Sequence, residues 1–252
     1  MEDWLEPLRS ALDEAPATVD VFFRDDDAGW DDDRLFALID VLERHRLPLD
    51  LAVIPRELTA TLADSLAARI AESGGRLGVH QHGLAHVNNE PPAGRKSEFG
   101  PGRSREDQRH DIAEGRALLE ERLPGLAQPA FTPPWNRCTR TTAELLGELG
   151  FRVLSRHDSE PSLGVEALVE VAAAVDWTFA KRDGARLTFD ELGALAASRA
   201  RRGGPVGINL HHAEMDRDEL ALLDRLCALA ASHDAARPLP LLAVADEAGP
   251  GP

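Results

Sequence analysis

At 252 residues and 43% hydrophobic, the chain can bury a substantial core, as one large domain or two small ones. Its formal net charge of −16, scattered over helix faces, argues against nucleic acid or an anionic membrane surface as a partner. The two cysteines, Cys138 and Cys227, form no C-x-x-C pair, and no secretory leader or membrane-spanning run of roughly 18 apolar residues is present, so a cytoplasmic protein without a disulfide framework is expected.

Residues 3–14 read as a short amphipathic helix. Val19 to Phe23 is a strand that ends in Arg24-Asp25-Asp26-Asp27. A helix from Asp31 to Arg46 follows, with Leu35, Leu38, Ile39 and Leu42 on one face and Pro48 as its stop. Leu49 to Ile54 is the second strand, and Leu58 to Ser73 is a helix closed by Gly74-Gly75. Arg76 to His80 is the third strand, running into Gln81-His82-Gly83-Leu84-Ala85-His86. Residues 87–103 form a long loop, and such loops tend to be functional or disordered; Glu98 and Phe99 in it are candidates for a lid. A helix from Ser104 to Leu123 leads to a short strand, Ala130-Phe131-Thr132, cut off by Pro133-Pro134-Trp135. Then come a helix over Thr139–Leu149, strands at Phe151–Ser155 and within Leu168–Trp177, and a helix over Phe189–Arg202. The strand Val206–Leu210 ends in His211-His212, a helix covers Asp216–Ser232, Leu239–Val244 reads as a last strand, and Gly249 to Pro252 is a frayed tail.

Seven or eight strands alternating with helices predict a parallel sheet, and this many units predict an α/β fold of the distorted (β/α) barrel type, with about seven parallel strands. No composition break or repeat divides residues 1–252, which are read as one domain. An open doubly wound sheet is the alternative, but no Gly-rich nucleotide turn follows the first strand. Asp25–Asp27, His80–His86, Pro133–Trp135, Asp176-Trp177 and His211-His212 all stand at C-terminal strand ends, which converge on one face of a barrel. His82 and His86, four apart, can share one metal ion, with the aspartate run and the second histidine pair as natural partners. His80 is read as a supporting residue, Asp31 to Asp33 as a helix start, and Cys138 as an unreactive thiol.

These five clusters, in this order, resemble the polysaccharide deacetylase (NodB-homology, carbohydrate esterase family 4) group over about residues 19–245. The resemblance implies a distorted (β/α) barrel and removal of N-acetyl groups from amino sugars with a divalent metal. It implies an Asp-Asp pair of base and ligand: Asp26 as base with Asp27 as ligand, or the shifted pair Asp25 and Asp26. It implies His82 and His86 as the other ligands, and Pro134 and Trp135 as substrate-binding residues. Thr132 stands where the family has an arginine that holds the base, and Arg24 or Arg137 is the candidate replacement. Asp176 and Trp177 match the fourth motif and Leu210-His211 the fifth, making His211 the favoured general acid, with His212 retained as a second candidate and Asp176 as the group that orients it. Trp135 and Trp177 are expected to wall a pocket, with Leu210 beside them. Two imidazoles and one carboxylate suit Zn2+, with Co2+, Ni2+, Mn2+ or Fe2+ as options. The expected activity is hydrolysis of an N-acetyl group on a small or soluble amino sugar or oligosaccharide, the absent leader turning the reading away from wall polymers. A non-sugar amide or cyclic ureide substrate is the alternative, and a degenerate sugar-binding or regulatory protein, motivated by Thr132, is the third reading.

Overall fold

Alternation along the strands sorts the apolar residues into two layers. The computed structural model describes residues 3–178 and 185–249. Eight parallel strands run β1 (Val19–Ala28), β2 (Leu49–Val53), β3 (Leu77–His82), β4 (Ala127–Thr132), β5 (Val153–His157), β6 (Val169–Ala173), β7 (Val175–Asp176) and β8 (Val206–Leu210). Their order is β6-β5-β4-β3-β2-β1-β8-β7, and a short β9 (Ala236–Pro238) pairs with β1. Only Ala174 separates β6 from β7, and its N–H donates to the Gly207 carbonyl at 3.0 Å. One extended segment therefore bonds β5 with its first half and β8 with its second, and nearly closes the barrel.

The helices are α1 (Glu6–Asp13), α2 (Asp32–Arg44), α3 (Ala60–Ser73), α4 (Arg105–Arg122), α5 (Arg140–Glu148), α6 (Phe189–Arg201), α7 (Arg217–Ser232) and α8 (Leu241–Ala248). Asp31, Thr59, Ser104, Thr139, Thr188 and Asp216 cap α2 to α7, each accepting a backbone N–H of the first turn, which is why the helices begin where they do. Among the described residues no helix is long and apolar enough to cross a membrane.

Val21, Phe23, Leu51, Val53, Val79, Ile208 and Leu210 belong to the large core between barrel wall and helices. The alternate residue Phe22 lies inside the barrel with Ala130, Val153, Val171 and Ala173. Gly207 leaves room for its ring: a Cβ there would stand 2.2 Å from Phe22 Cζ. Leu241, Val244 and Ala245 of α8 pack on the same cluster, and Asp50 on β2 accepts the Leu241 N–H at 2.7 Å. The predicted last strand, Leu239–Val244, is thus mostly helix, because a short buried apolar run has no period that separates strand from helix. The strand after α7 is Ala236–Pro238. β1 runs five residues past its predicted end and contains all three aspartates, because each carboxylate finds a partner there. The tail beyond Gly249 lies outside the described residues.

Candidate active site

The aspartate triplet is divided by strand geometry. Alternation turns Phe22, Arg24 and Asp26 into the barrel and Phe23 and Asp25 towards the helix layer. Asp27 does not continue the alternation. A register shift falls between Asp25 and Ala28, and Asp27 takes a left-handed φ of 68°, which re-aims its carboxylate.

Each carboxylate then has its own partner. Asp25 Oδ2 lies 2.6 Å from His212 Nδ1, and Asp25 Oδ1 accepts the His212 backbone N–H at 3.0 Å. His212 Nε2 donates to the Trp30 carbonyl at 2.6 Å. Burial would lower the His212 pKa, but the Asp25 carboxylate overrides it and pushes it up to about 9. Asp26 is gripped by both oxygens: Arg24 Nε donates to Oδ1 at 2.9 Å and Arg24 Nη2 to Oδ2 at 3.0 Å. Burial works against the Asp26 anion, yet Arg24, His82 and His211 together hold its carboxyl below the usual range.

β3 sends His80 and His82 inward and Val79 outward. His82 Nδ1 donates to the Thr132 carbonyl at 2.9 Å, which leaves Nε2 facing Asp27 Oδ1 at 3.1 Å. His86 reaches the same oxygen with Nε2 at 3.2 Å. Burial and the neighbouring His82 push the His86 pKa down to about 4, so its ring is neutral at pH 7. The loop between the two histidines is tied down by the buried Glu98, which accepts the Leu84 and Ala85 N–H groups at 3.2 and 2.9 Å. Gly83, at φ 57°, lets this happen: a Cβ there would stand 2.1 Å from Glu98 Oε2 and 2.7 Å from the Pro134 ring. Six non-glycine residues have positive φ among those described, and four of them are Asp27, His86, Trp135 and Asn136. Backbone strain is concentrated at this site, as expected where tertiary contacts over-determine a functional geometry.

The ligand atoms of Asp27, His82 and His86 all lie within 4.8 Å of one another. Two imidazoles, one with its far nitrogen fixed by a carbonyl, and one carboxylate form a donor set that fits a divalent cation such as Zn2+. His110, Asp111 and Glu114 form a second cluster on α4, where Glu114 is already taken by Arg56 and Asp111 by Arg103.

Facing Asp26 stands His211. Its Nε2 is 3.8 Å from Asp26 Oδ2. Its Nδ1 is 2.9 Å from Thr178 Oγ1 and 3.7 Å from Asp176 Oδ1. Thr178 Oγ1 in turn donates to Asp176 Oδ1 at 3.2 Å, so Asp176 reaches the ring through a hydroxyl as well as by charge. Burial would lower the His211 pKa, but Asp176, Asp26 and Asp27 outweigh it and raise it. At the mouth, the His86 ring lies between Trp30 and Trp135, with centroids 4.8 and 4.3 Å away. Trp30 and Val87 are the exposed large hydrophobics of the described residues, and Trp30 flanks this mouth.

Several expectations need correction. The ring of His212 does not face the site, because both its nitrogens are taken by Asp25 and the Trp30 carbonyl. The shifted pairing of Asp25 with Asp26 fails for the same reason: Asp25 is on the helix side of the strand. Trp177 packs against Trp4 and Phe189 in the outer core, and Leu210 is buried there too, since both alternate with inward residues. Pro134 is buried against Gly83, and only Trp135 of that turn opens to the mouth. Glu98 and Phe99 lie beneath the site instead of over it, Phe99 meeting Phe131 edge to face. Arg137 binds the Lys96 carbonyl, so the arginine at the base is Arg24. Thr132 holds His80 instead, its Oγ1 2.8 Å from His80 Nε2. Burial pushes Cys138 up to about 12, away from any thiolate role.

Sequence reasoning missed Asn136, Ser155, Asn209 and Thr178. Asn209 alone had a signal, two residues before His211 on the inward face of β8.

The polysaccharide deacetylase family model matches residues 21–154, more than half of the chain. The chain belongs to the polysaccharide deacetylase family. No curated protein matches it. Among solved structures, a Mycobacterium smegmatis protein provisionally named a polysaccharide deacetylase is 18% identical, covers 93% of this chain and 91% of its own, and superposes with a TM-score of 0.68. A family 4 acetyl xylan esterase from Clostridium thermocellum, in complex with a cobalt ion, is 16% identical over 92% and 93% of the two chains, TM-score 0.62. A CE4 family pseudoenzyme from Bacillus anthracis is 12% identical over 93% of this chain and 67% of its own, TM-score 0.58. At these identities the likeness is one of fold, and polysaccharide deacetylase membership supports a hydrolase acting on acetyl groups.

Proposed function

We propose that this polysaccharide deacetylase family member is a metal-dependent hydrolase that removes an N-acetyl group from a small or soluble N-acetylated amino sugar. The observation that carries the reading is the convergence of Asp27, His82 and His86 within 4.8 Å, beside an arginine-held Asp26 that faces His211. Asp27, His82 and His86 would hold the cation, which supplies a lowered water pKa and a polarised acetyl carbonyl. Asp26, kept ionised by Arg24, takes the proton of the attacking water. The oxygen forms a bond to the acetyl carbon, and the negative charge that develops on the carbonyl oxygen would be met by the Trp135 backbone N–H. His211 delivers a proton from Nε2 to the leaving nitrogen as the C–N bond breaks, giving acetate and a free amine. Nδ1–H donates to Thr178, and although burial opposes it, the nearby Asp176, Asp26 and Asp27 favour the imidazolium, which carries the second proton at Nε2. The exposed Trp30 and the half-buried Trp135 offer flat apolar faces to a sugar ring at the mouth.

Acetate release from a panel of soluble N-acetyl sugars, with and without a chelator, tests this. Chelator-sensitive release is expected, at least on one sugar of the panel. Release from ureides or acylated amines alone would redirect the substrate, and purified protein without stoichiometric metal and without turnover would reject the enzyme.

A further inference from the structure

Three consecutive carboxylates at one strand end pose a problem of selection. Two imidazoles and a cation would accept any carboxylate within reach, and a second one would occupy the position that water and substrate need. Asp25 is removed by His212, but Asp26 is inside the barrel on the same side as the cluster.

What restrains Asp26 is Arg24. This guanidinium is fully buried, at 0% exposure. Nε donates to Asp26 Oδ1 at 2.9 Å and to Asn209 Oδ1 at 3.3 Å. Nη1 donates to Ser155 Oγ at 2.7 Å. Nη2 donates to Asp26 Oδ2 at 3.0 Å and to Asn136 Oδ1 at 2.7 Å. Apart from Asp26 itself, the acceptors come from the turn after β4, from β5 and from β8, so the fork is fastened to three walls of the barrel. A planar fork anchored in this way cannot follow the carboxylate if it swings, and it matches both carboxylate oxygens at once.

We propose that Arg24 assigns the roles within the aspartate triplet: by holding both oxygens of Asp26 it keeps that carboxylate out of the ligand set of Asp27, His82 and His86, and facing His211. Arg24 is therefore a positioning residue that acts through Asp26, and Asn136, Ser155 and Asn209 are its anchors. The assignment rests on the reading of the cluster as a metal site.

The test uses the full chain, freed of metal and titrated with Co2+ alone, followed by its visible absorption and its affinity. Asp26→Asn and the double variant Arg24→Gln/Asp26→Asn are expected to bind Co2+ with the wild-type spectrum and affinity, because Asp26 is no ligand. Arg24→Gln alone is expected to change the spectrum and to raise affinity by about tenfold, as the released Asp26 joins the site. Arg24→Lys, which keeps the charge but loses the fork, is expected to show the same spectral change in part. Loss of Co2+ affinity in Asp26→Asn, or an Arg24→Gln spectrum identical to wild type, would overturn the proposal. If Arg24→Gln fails to fold, Arg24→Lys carries the decision: a changed Co2+ spectrum supports the assignment and a wild-type spectrum refutes it. A wild-type chain that takes up no Co2+ rejects the metal reading and this assignment with it, whereas uptake by wild type and loss in Asp26→Asn rejects the assignment alone.

Discussion

The buried Asp25–His212 pair makes a prediction about pH with a definite sign. His212 has both ring nitrogens engaged, and its pKa is pushed from 6.5 up to about 9. In the unfolded chain it titrates near 6.5. Between those values the folded state holds a proton that the unfolded state has released, so stability falls as pH rises. At about 1.4 kcal/mol per tenfold, the displacement amounts to about 3 kcal/mol, fully present below pH ~6.5 and lost as pH rises through ~9. That is a large fraction of the ~5–15 kcal/mol that separates a typical folded domain from its unfolded chain. The pair also joins the end of β1, which carries Asp26 and Asp27, to the end of β8, which carries His211, so the site should loosen along with it. Urea denaturation of wild type and of Asp25→Asn/His212→Asn at pH 6.5 and 9.5 measures the effect. Wild type should lose about 3 kcal/mol more than the double variant over this span. Parallel losses in the two proteins would refute the reasoning, since nothing would then link His212 to the alkaline transition.

Three further outcomes are expected. Asp26→Asn should lower turnover on a substrate of the wild type by about 10²–10⁴-fold, read by acetate release, while leaving the fold intact by circular dichroism. Gly83→Ala should force Glu98 and Pro134 away from the histidine loop and weaken Zn2+ binding, read by calorimetry, by about tenfold or more. Gly207→Ala drives a methyl into Phe22 and against the Ala173 backbone, and should cost about 1–3 kcal/mol in denaturant unfolding.

Much of the architecture was legible because its causes are local. Period-two alternation and turn residues marked the strands, caps marked the helices, and parallel βα units imply a barrel whose strand ends converge. One exception was α8, where an apolar run too short to display a period turned out to be a helix packed on Phe22. The spacing of His82 and His86 points to a shared ion, and alternation along β1 puts Arg24 beside Asp26 and Asp25 on the opposite face.

What the chain by itself determined, then, was which residue types arrive at which strand end. Which of them meet was a tertiary decision. Asp25, Asp26 and Asp27 are chemically identical, and only partners 187, 2 and 55 residues away in sequence tell them apart. A bulge with positive φ at Asp27 broke the alternation that local pattern would have continued. Thr178 entered between His211 and Asp176, and Thr132 turned to His80, through contacts that no spacing announces. The physical reason is that a buried carboxylate or imidazole must find a partner, and the partner is chosen by proximity in the closed barrel.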